Sequence, residues 1–186
     1  MIYVSNGIEL YETYILRHLL FDPESIETDL AGTFRNKPRM AWWGSPVNAG
    51  FGWKDFCKAE NFMLNEYDFD RSSPILWTLK KGSKILKIDR IDEDVISYMV
   101  PDPEIGLYKV LDFKKLLANG FTAVELTDGS IGHGFSNKYE AAFNLWDCES
   151  IVVLDPSKID FMRKDFVTHF KSTFKNNFRI EMPDAV

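Results

Sequence analysis

Short apolar runs that end at turn residues are the feature that most constrains the fold of this chain. The longest of them is Ile151-Val152-Val153-Leu154, which Asp155-Pro156 terminates. A run of this length suits a buried β-strand, whereas a membrane-spanning helix needs about 20 apolar residues. The pattern therefore predicts a globular fold in which short strands supply much of the core.

Turn residues divide the rest of the chain into further segments of helix or strand character. Ile75–Leu79 and Ile85–Ile88 flank Lys80-Lys81-Gly82-Ser83, which predicts a β-hairpin. Strands are also predicted at 2–5, 40–43 and 121–126, and helices at 8–20, 53–61, 113–119 and 138–146. Because strands outnumber long helices and neighbouring strands are joined by hairpins, the fold class is predicted to be α+β and not a doubly wound α/β sheet.

The two ends of the chain carry specific predictions. Asn6 followed by Glu9 forms a capping-box pattern, which predicts that the first helix starts near residue 8. Residues 1–160 are interpreted as a single domain and 161–186 as a C-terminal amphipathic helical appendage. The appendage carries an apolar stripe at Phe166, Phe170 and Phe174, which would pack on its own domain or bind a partner.

Charge and cysteine content restrict the partners and the cell compartment. The chain has 186 residues, with 22 basic and 28 acidic side chains, which gives a net charge of −6. This charge disfavours non-specific nucleic-acid binding by the body of the protein. Residues 157–186 carry 6 basic and 4 acidic side chains, so nucleic-acid binding by this tail is not disfavoured. Cys57 and Cys148 form no CxxC motif, and Met1–Val4 lacks the features of a secretory signal, so we expect a cytoplasmic protein without membrane contact.

Several familiar catalytic motifs are missing from the sequence. It contains no Walker A motif, no GxGxxG after a strand, no HExxH and no GxSxG. The histidines His18, His133 and His169 are widely separated, so no metal site is expected. A nucleophilic pair of Cys148 and His133 is one alternative, but a cysteine is more often a small apolar core residue.

The segment Glu149-Ser150-Ile151-Val152-Val153-Leu154-Asp155-Pro156 places a carboxylate at the mouth of an apolar strand. In a cleft, desolvation can give such an acid a defined chemical role, although Glu149 could also be a solvated residue at a strand start. The segment resembles the closing motif of the ADP-ribosyltransferase superfamily, in which a glutamate opens a hydrophobic strand that ends in a turn. The resemblance implies a split antiparallel β-sheet core with peripheral helices, NAD as substrate, and Glu149 as the catalytic residue that contacts the nicotinamide ribose.

Two upstream segments resemble the same superfamily. Ile2-Tyr3-Val4-Ser5-Asn6 is similar to its opening strand, and Trp42-Trp43-Gly44-Ser45-Pro46 to its aromatic strand. The superfamily places a His or Arg in the opening strand, where this sequence has Ser5 and Asn6. The NAD-binding residues that the resemblance implies are Ser5, Asn6, Trp43, Ser45 and Tyr139.

Each of these residues also has a structural interpretation. Ser5 and Asn6 are common helix caps, and Ser45 before Pro46 suits a turn. Tyr139 could pack in the core. Trp42 and Trp43 should point to opposite faces of a strand, so that one packs in the core and the other faces a cleft.

The resemblance implies transfer of ADP-ribose from NAD to a macromolecular acceptor, expected to be a protein, without a metal ion. Residues 3–5, 42–45 and 149–153 should then meet at one cleft. The block Trp43–Phe62 is also similar to small uncharacterised proteins of bacteriophages and prophages. The alternative function is therefore a catalytically silent version of the fold that binds a host protein, and a third is a nucleic-acid binder that uses the basic tail.

Overall fold

The computed structural model describes residues 2–4, 9–14, 29–34, 37–39, 41–62, 64, 74–102, 106–127, 138–143 and 146–162. Over these residues the protein has a mixed α+β fold with many strands and few helices, as predicted. The strands are β1 (Ile2–Val4), β2 (Tyr11–Thr13), β3 (Asp29–Phe34), β4 (Lys37–Arg39), β5 (Trp42–Pro46), β6 (Ile75–Leu79), β7 (Lys84–Ile88), β8 (Met99–Pro101), β9 (Lys109–Leu111), β10 (Ala123–Leu126), β11 (Ser150–Val153) and β12 (Ile159–Phe161). The helices are α1 (Trp53–Ala59), α2 (Glu93–Ile96) and α3 (Phe113–Ala118), with 3₁₀ turns at Glu140–Phe143 and Pro156–Lys158.

Eight of these strands form one sheet in the order β1-β7-β10-β11-β5-β2-β6-β12. Neighbouring strands are antiparallel except for β7 and β10, which are parallel. Two separate ribbons pair β3 with β4 and β8 with β9. The parallel pair was not predicted from the sequence.

The predicted hairpin of β6 and β7 is wrong, although both strands exist. Only residues 80–83 join them, yet they occupy the seventh and second positions of the sheet. The backbone turns away at both ends of this connection, because the Lys80 N–H donates to the carbonyl of Lys158 and the carbonyl of Lys84 accepts from Thr122. A sheet whose distant strands are joined by so short a connection must fold over on itself.

The folded sheet encloses an apolar cluster between its two halves. Tyr11 and Trp77 come from one half, and Ile85, Ile151 and Val153 come from the other. On the opposite face of β10 and β11, a second cluster packs against the helices. Since both faces of β11 are buried, its sequence shows a continuous apolar run, Ile151–Leu154, without alternation.

Helix α3 and strands β10 and β11 contribute residues to this second cluster. Phe113 and Leu116 of α3 pack there with Val124 and Val152. The helix begins as predicted, because the carboxylate of Asp112 accepts a hydrogen bond from Lys115 N at 2.9 Å.

The predicted first helix is contradicted where the structure describes it. Residues 11–13 form strand β2, which pairs with β5 on one side and β6 on the other. Pairing on both sides satisfies the backbone groups of this segment and buries Tyr11, so tertiary contacts override the helical pattern. Asn6 and residues 15–20 lie outside the described residues.

The C-terminal boundary also differs from the predicted one. Strand β12 extends to Phe161 and pairs with β6, and Met162 packs in a small apolar cluster with Leu10 and Leu76. The predicted appendage helix, with its stripe of phenylalanines, lies outside the described residues. Within the described part of the chain, no helix has the length and apolar character needed to cross a membrane.

Candidate functional site

A cavity of about 370 Å³ opens beside β2, β5 and the start of α1. Five aromatic residues belong to its wall. They are Tyr14, Trp42, Trp43, Trp53 and Trp146. We call this cavity the aromatic pocket.

Strand geometry separates the two neighbouring tryptophans of β5, as predicted. Trp42 is buried against Trp77 and Phe161 in the cluster between the sheet halves. Trp43 points to the other face, where its ring packs edge-on against Trp146 at a centroid distance of 4.9 Å. Trp43 remains half-buried and forms part of the pocket wall, and its contact with NAD stays a prediction.

Close approach of backbones fixes β5 against its neighbour β2. A Cβ atom on Gly44 would lie 2.8 Å from the carbonyl oxygen of Glu12, so only glycine fits there. Thr13 Oγ1 donates to the carbonyl of Trp43 at 2.6 Å and accepts from the indole N–H of Trp77 at 2.8 Å. The floor of the pocket is therefore held by three strands.

Ser45 lies in the pocket wall, but its hydroxyl already has a structural role. Its Oγ accepts a hydrogen bond from the backbone N–H of Trp53 at 2.9 Å, which fixes the first turn of α1. The residue is only 1% exposed. Its contact with NAD stays a prediction.

Glu149 is not itself a residue of this wall, but its two sequence neighbours, Cys148 and Ser150, are. The carboxylate oxygen Oε1 accepts from the backbone N–H of Phe51 at 3.0 Å, and the Glu149 N–H donates to the carbonyl of Phe51 at 3.0 Å. This reciprocal pair holds Glu149 against the loop between β5 and α1. Because β11 pairs with β5, with Ile151 opposite Gly44, the segments around Glu149 and Ser45 are neighbours, as predicted.

Glu12 is a pocket residue that the sequence interpretation missed, because it lies within the helix that was predicted over residues 8–20. It is only 8% exposed, and its Oε2 has no hydrogen-bond partner among the described residues. Burial raises the pKa of Glu12 to about 7. The charge of Lys54 and a hydrogen bond from Tyr14 oppose this rise, whereas the charge of Asp55 adds to it. Tyrosines and a threonine surround Glu12, and this β-favouring composition was the available signal for a strand.

An ion pair forms another part of the wall. Lys37 Nζ lies 3.7 Å from Asp147 Oδ2 and 5.5 Å from the centroid of the Trp43 ring. Burial lowers the pKa of Lys37, and Asp147 opposes that effect. The charge of Lys37 is thus largely matched by Asp147.

The alternative Cys148–His133 nucleophile is disfavoured. Burial raises the pKa of the Cys148 thiol to about 11, so that the thiol stays protonated at neutral pH. His133 lies outside the described residues.

Tyr139 and the described part of the opening segment lie away from the pocket. Tyr139 precedes a 3₁₀ turn that packs near β9, where Lys109 N donates to the carbonyl of Lys138, and it is not part of the wall. Strand β1 lies three positions from β11, roughly 14 Å along the sheet, since neighbouring strands lie about 4.8 Å apart. Residues 3 and 4 therefore do not join the other two segments, and Ser5 and Asn6 lie outside the described residues.

Comparison of the chain with protein-family models, with curated proteins and with solved structures gives no match. The function must therefore be argued from the geometry of the site itself.

Proposed function

We propose that this protein binds NAD and transfers its ADP-ribose group to a macromolecular acceptor, most simply a protein, as the ADP-ribosyltransferase superfamily does. The observation that carries the proposal is that Glu149 stands between Cys148 and Ser150, which both belong to the wall of the aromatic pocket. A flat aromatic ring bound in the pocket would have its substituent near the segment that carries this carboxylate.

The pocket suits the nicotinamide end of NAD in charge and size. The oxidised nicotinamide ring is a planar cation, and aromatic faces attract cations. The cavity volume of about 370 Å³ lies within the range typical of small-molecule sites. Trp43, which is half-buried in the wall, is the residue proposed to contact such a ring.

The reaction breaks the glycosidic bond between ribose C1′ and the pyridinium nitrogen. The electron pair of that bond goes to the ring nitrogen, and neutral nicotinamide leaves without a proton. The remaining C1′ is an oxocarbenium ion until a lone pair of the acceptor attacks it, after which the acceptor loses a proton. A carboxylate that accepts a hydrogen bond from the ribose 2′-hydroxyl stabilises the developing positive charge, and this is the role proposed for Glu149.

The strand order gives further support. In the superfamily, the opening strand begins Leu-Tyr or Ile-Tyr. The sequence interpretation placed this strand at Ile2-Tyr3. Leu10-Tyr11 fits the same pattern, and β2 pairs directly with the aromatic strand β5. The next residue is Glu12 in place of a His or Arg, so the adenosine side of NAD would need different contacts.

One observation favours the alternative of a catalytically silent module that binds a protein, such as a phage protein acting on a host factor. The backbone N–H of Phe51 already occupies one acceptor position of Glu149. An ionised carboxylate accepts about four hydrogen bonds, so the remaining positions are sufficient for a ribose hydroxyl. The enzyme therefore remains the leading proposal.

The test is release of nicotinamide from NAD by the wild type and by Glu149→Gln. The amide keeps an acceptor oxygen for Phe51 but removes the charge, so we expect an unchanged melting temperature and a loss of activity of about a hundredfold or more. Glu60→Gln, which changes an exposed residue at the end of α1, is the matched control and should retain full activity. Equal turnover by Glu149→Gln and wild type would remove Glu149 from the mechanism, and no release by the wild type would favour the silent module.

A further inference from the structure

The aromatic pocket contains a buried carboxyl group, Glu12, that has no cation within ion-pair distance in the part of the chain that the structure describes. Glu12 accepts a hydrogen bond from Tyr14, and no Lys or Arg among the described residues forms an ion pair with it. Buried carboxylates are normally paired, because an unpaired charge in an apolar site is unfavourable. An exception in the wall of a cavity indicates that the partner is a ligand.

The other charges around the pocket do not compensate for Glu12. Lys37 is matched by Asp147, at 3.7 Å. On α1, the charge of Lys54 lowers the pKa of Glu12, and the charge of Asp55 raises it. When Glu12 is ionised, the pocket therefore carries one surplus negative charge inside an aromatic wall.

We propose that Glu12 makes the aromatic pocket selective for a flat, positively charged aromatic ring, the N-substituted pyridinium class, over a neutral ring of the same shape. Aromatic faces and a carboxylate both attract a delocalised cation, whereas a neutral ring gains from neither charge interaction. This inference rests on the proposed function, in which the ring is nicotinamide. It adds that the site distinguishes oxidised NAD from its reduced form, whose dihydropyridine ring is uncharged.

The probes are 1-methylnicotinamide, which is a pyridinium cation, and nicotinamide, which is neutral and nearly the same shape. Binding is measured by quenching of tryptophan fluorescence, since four tryptophans form part of the wall. At about pH 8 the wild type should bind the cation at least about tenfold more tightly than the neutral ring. Glu12→Gln should remove this preference by weakening the cation alone, while Glu60→Gln should leave both affinities unchanged.

A pH series on the wild type provides a second measurement that needs no variant. Among the described residues, the titratable groups near Glu12 in the wall and on α1 are Tyr14, Lys37, Lys54, Asp55, Cys57, Asp147 and Cys148. The pKa of Glu12 is about 7, whereas that of Cys148 is about 11, so Glu12 changes charge between about pH 5.5 and pH 8. Cation binding should weaken toward the acid end, and binding of neutral nicotinamide should not.

The outcomes separate this inference from the proposed function. Selective binding of 1-methylnicotinamide without nicotinamide release from NAD would uphold the inference and overturn the proposed function. Nicotinamide release from NAD together with equal affinity for the two probes would uphold the proposed function and overturn the inference. Failure of the cation to bind, or a cation preference that persists in Glu12→Gln, would overturn the inference.

Discussion

Two buried carboxyl groups lie on opposite sides of strand β2, and their surroundings differ sharply. Glu125 is 4% exposed, and its two oxygens lie 2.9 Å from the Tyr11 hydroxyl and 3.3 Å from Lys87 Nζ. Glu12 is 8% exposed, and one of its oxygens has no partner among the described residues. A buried acid with its partners built in stabilises the fold, whereas one without them is available to a ligand.

The alternation of a β-strand produces this contrast. Tyr11 and Glu12 are consecutive in β2, so their side chains point to opposite faces. Tyr11 enters the space between the halves of the folded sheet, and Glu12 enters the aromatic pocket. The cluster of Glu9, Tyr11, Lys87 and Glu125, which we call the paired cluster, connects the two halves.

The Tyr11 hydroxyl lies within hydrogen-bond distance of both carboxyl groups of the paired cluster, 2.8 Å from Glu9 Oε2 and 2.9 Å from Glu125 Oε2. Its single hydrogen is shared between these two acceptors. Burial raises the pKa of Glu125, and Lys87 opposes that effect.

The largest expected effect comes from removing the cation of the paired cluster. Burial alone would lower the pKa of Lys87, but its hydrogen bond to Glu9 and the charge of Glu125 raise it overall, so the ammonium is stabilised in the folded state. Lys87→Met should lower the free energy of unfolding by about 3 kcal/mol, because it leaves two carboxyl groups with no cation. Urea denaturation at neutral pH measures this loss.

Lys81→Met is the matched control, because Lys81 is an exposed lysine in the turn before β7. It should change the free energy of unfolding by less than about 0.5 kcal/mol. If the two variants were equally stable, the paired cluster would not be a structural element and the contrast with Glu12 would fail.

The sequence predicted strands better than it predicted their partners. The apolar run of β11 and the Asp112 cap of α3 are local signals, and both elements are present. Which strands pair is decided by contacts between distant residues, so neither the separation of β6 from β7 nor the strand at 11–13 could be read from spacing. Trp43, Ser45 and Glu149 were found through motifs in β5 and β11, whereas Glu12 was missed because the strand that carries it was assigned as a helix.

The next effect in size is the pH dependence that Glu12 imposes on stability. The pKa of Glu12 rises from 4.5 to about 7 on folding, so between these values the folded state holds a proton that the unfolded chain has lost. Stability from this group therefore falls as pH rises through that window. Relative to Glu12→Gln, the free energy of unfolding of the wild type should decrease by about 2 kcal/mol from pH 5 to pH 8.

Glu125 is present in both proteins of that comparison, so its own titration cancels in the difference. The measurement is urea denaturation of both proteins at several pH values. A difference that is constant with pH would mean that Glu12 titrates normally and is not held in an apolar site.

The smallest effect compares the tyrosine partners of the two acids. Tyr11 bonds to two carboxyl groups that form ion pairs with Lys87, whereas at pH 6 Glu12 is mostly protonated, so Tyr14 makes a hydrogen bond between neutral groups. Hydrogen bonds to charged groups are roughly twice as strong, so Tyr11→Phe should cost about 2 kcal/mol and Tyr14→Phe about 1 kcal/mol at that pH. The Tyr14 hydrogen bond lowers the pKa of Glu12, so Tyr14→Phe should raise that pKa further. The decrease in stability should then occur at higher pH, as measured by comparing Tyr14→Phe with the double variant Tyr14→Phe/Glu12→Gln. A Tyr14→Phe variant that lost more stability than Tyr11→Phe would show that Glu12 depends on built-in partners as much as Glu125 does, and that the pocket acid is structural.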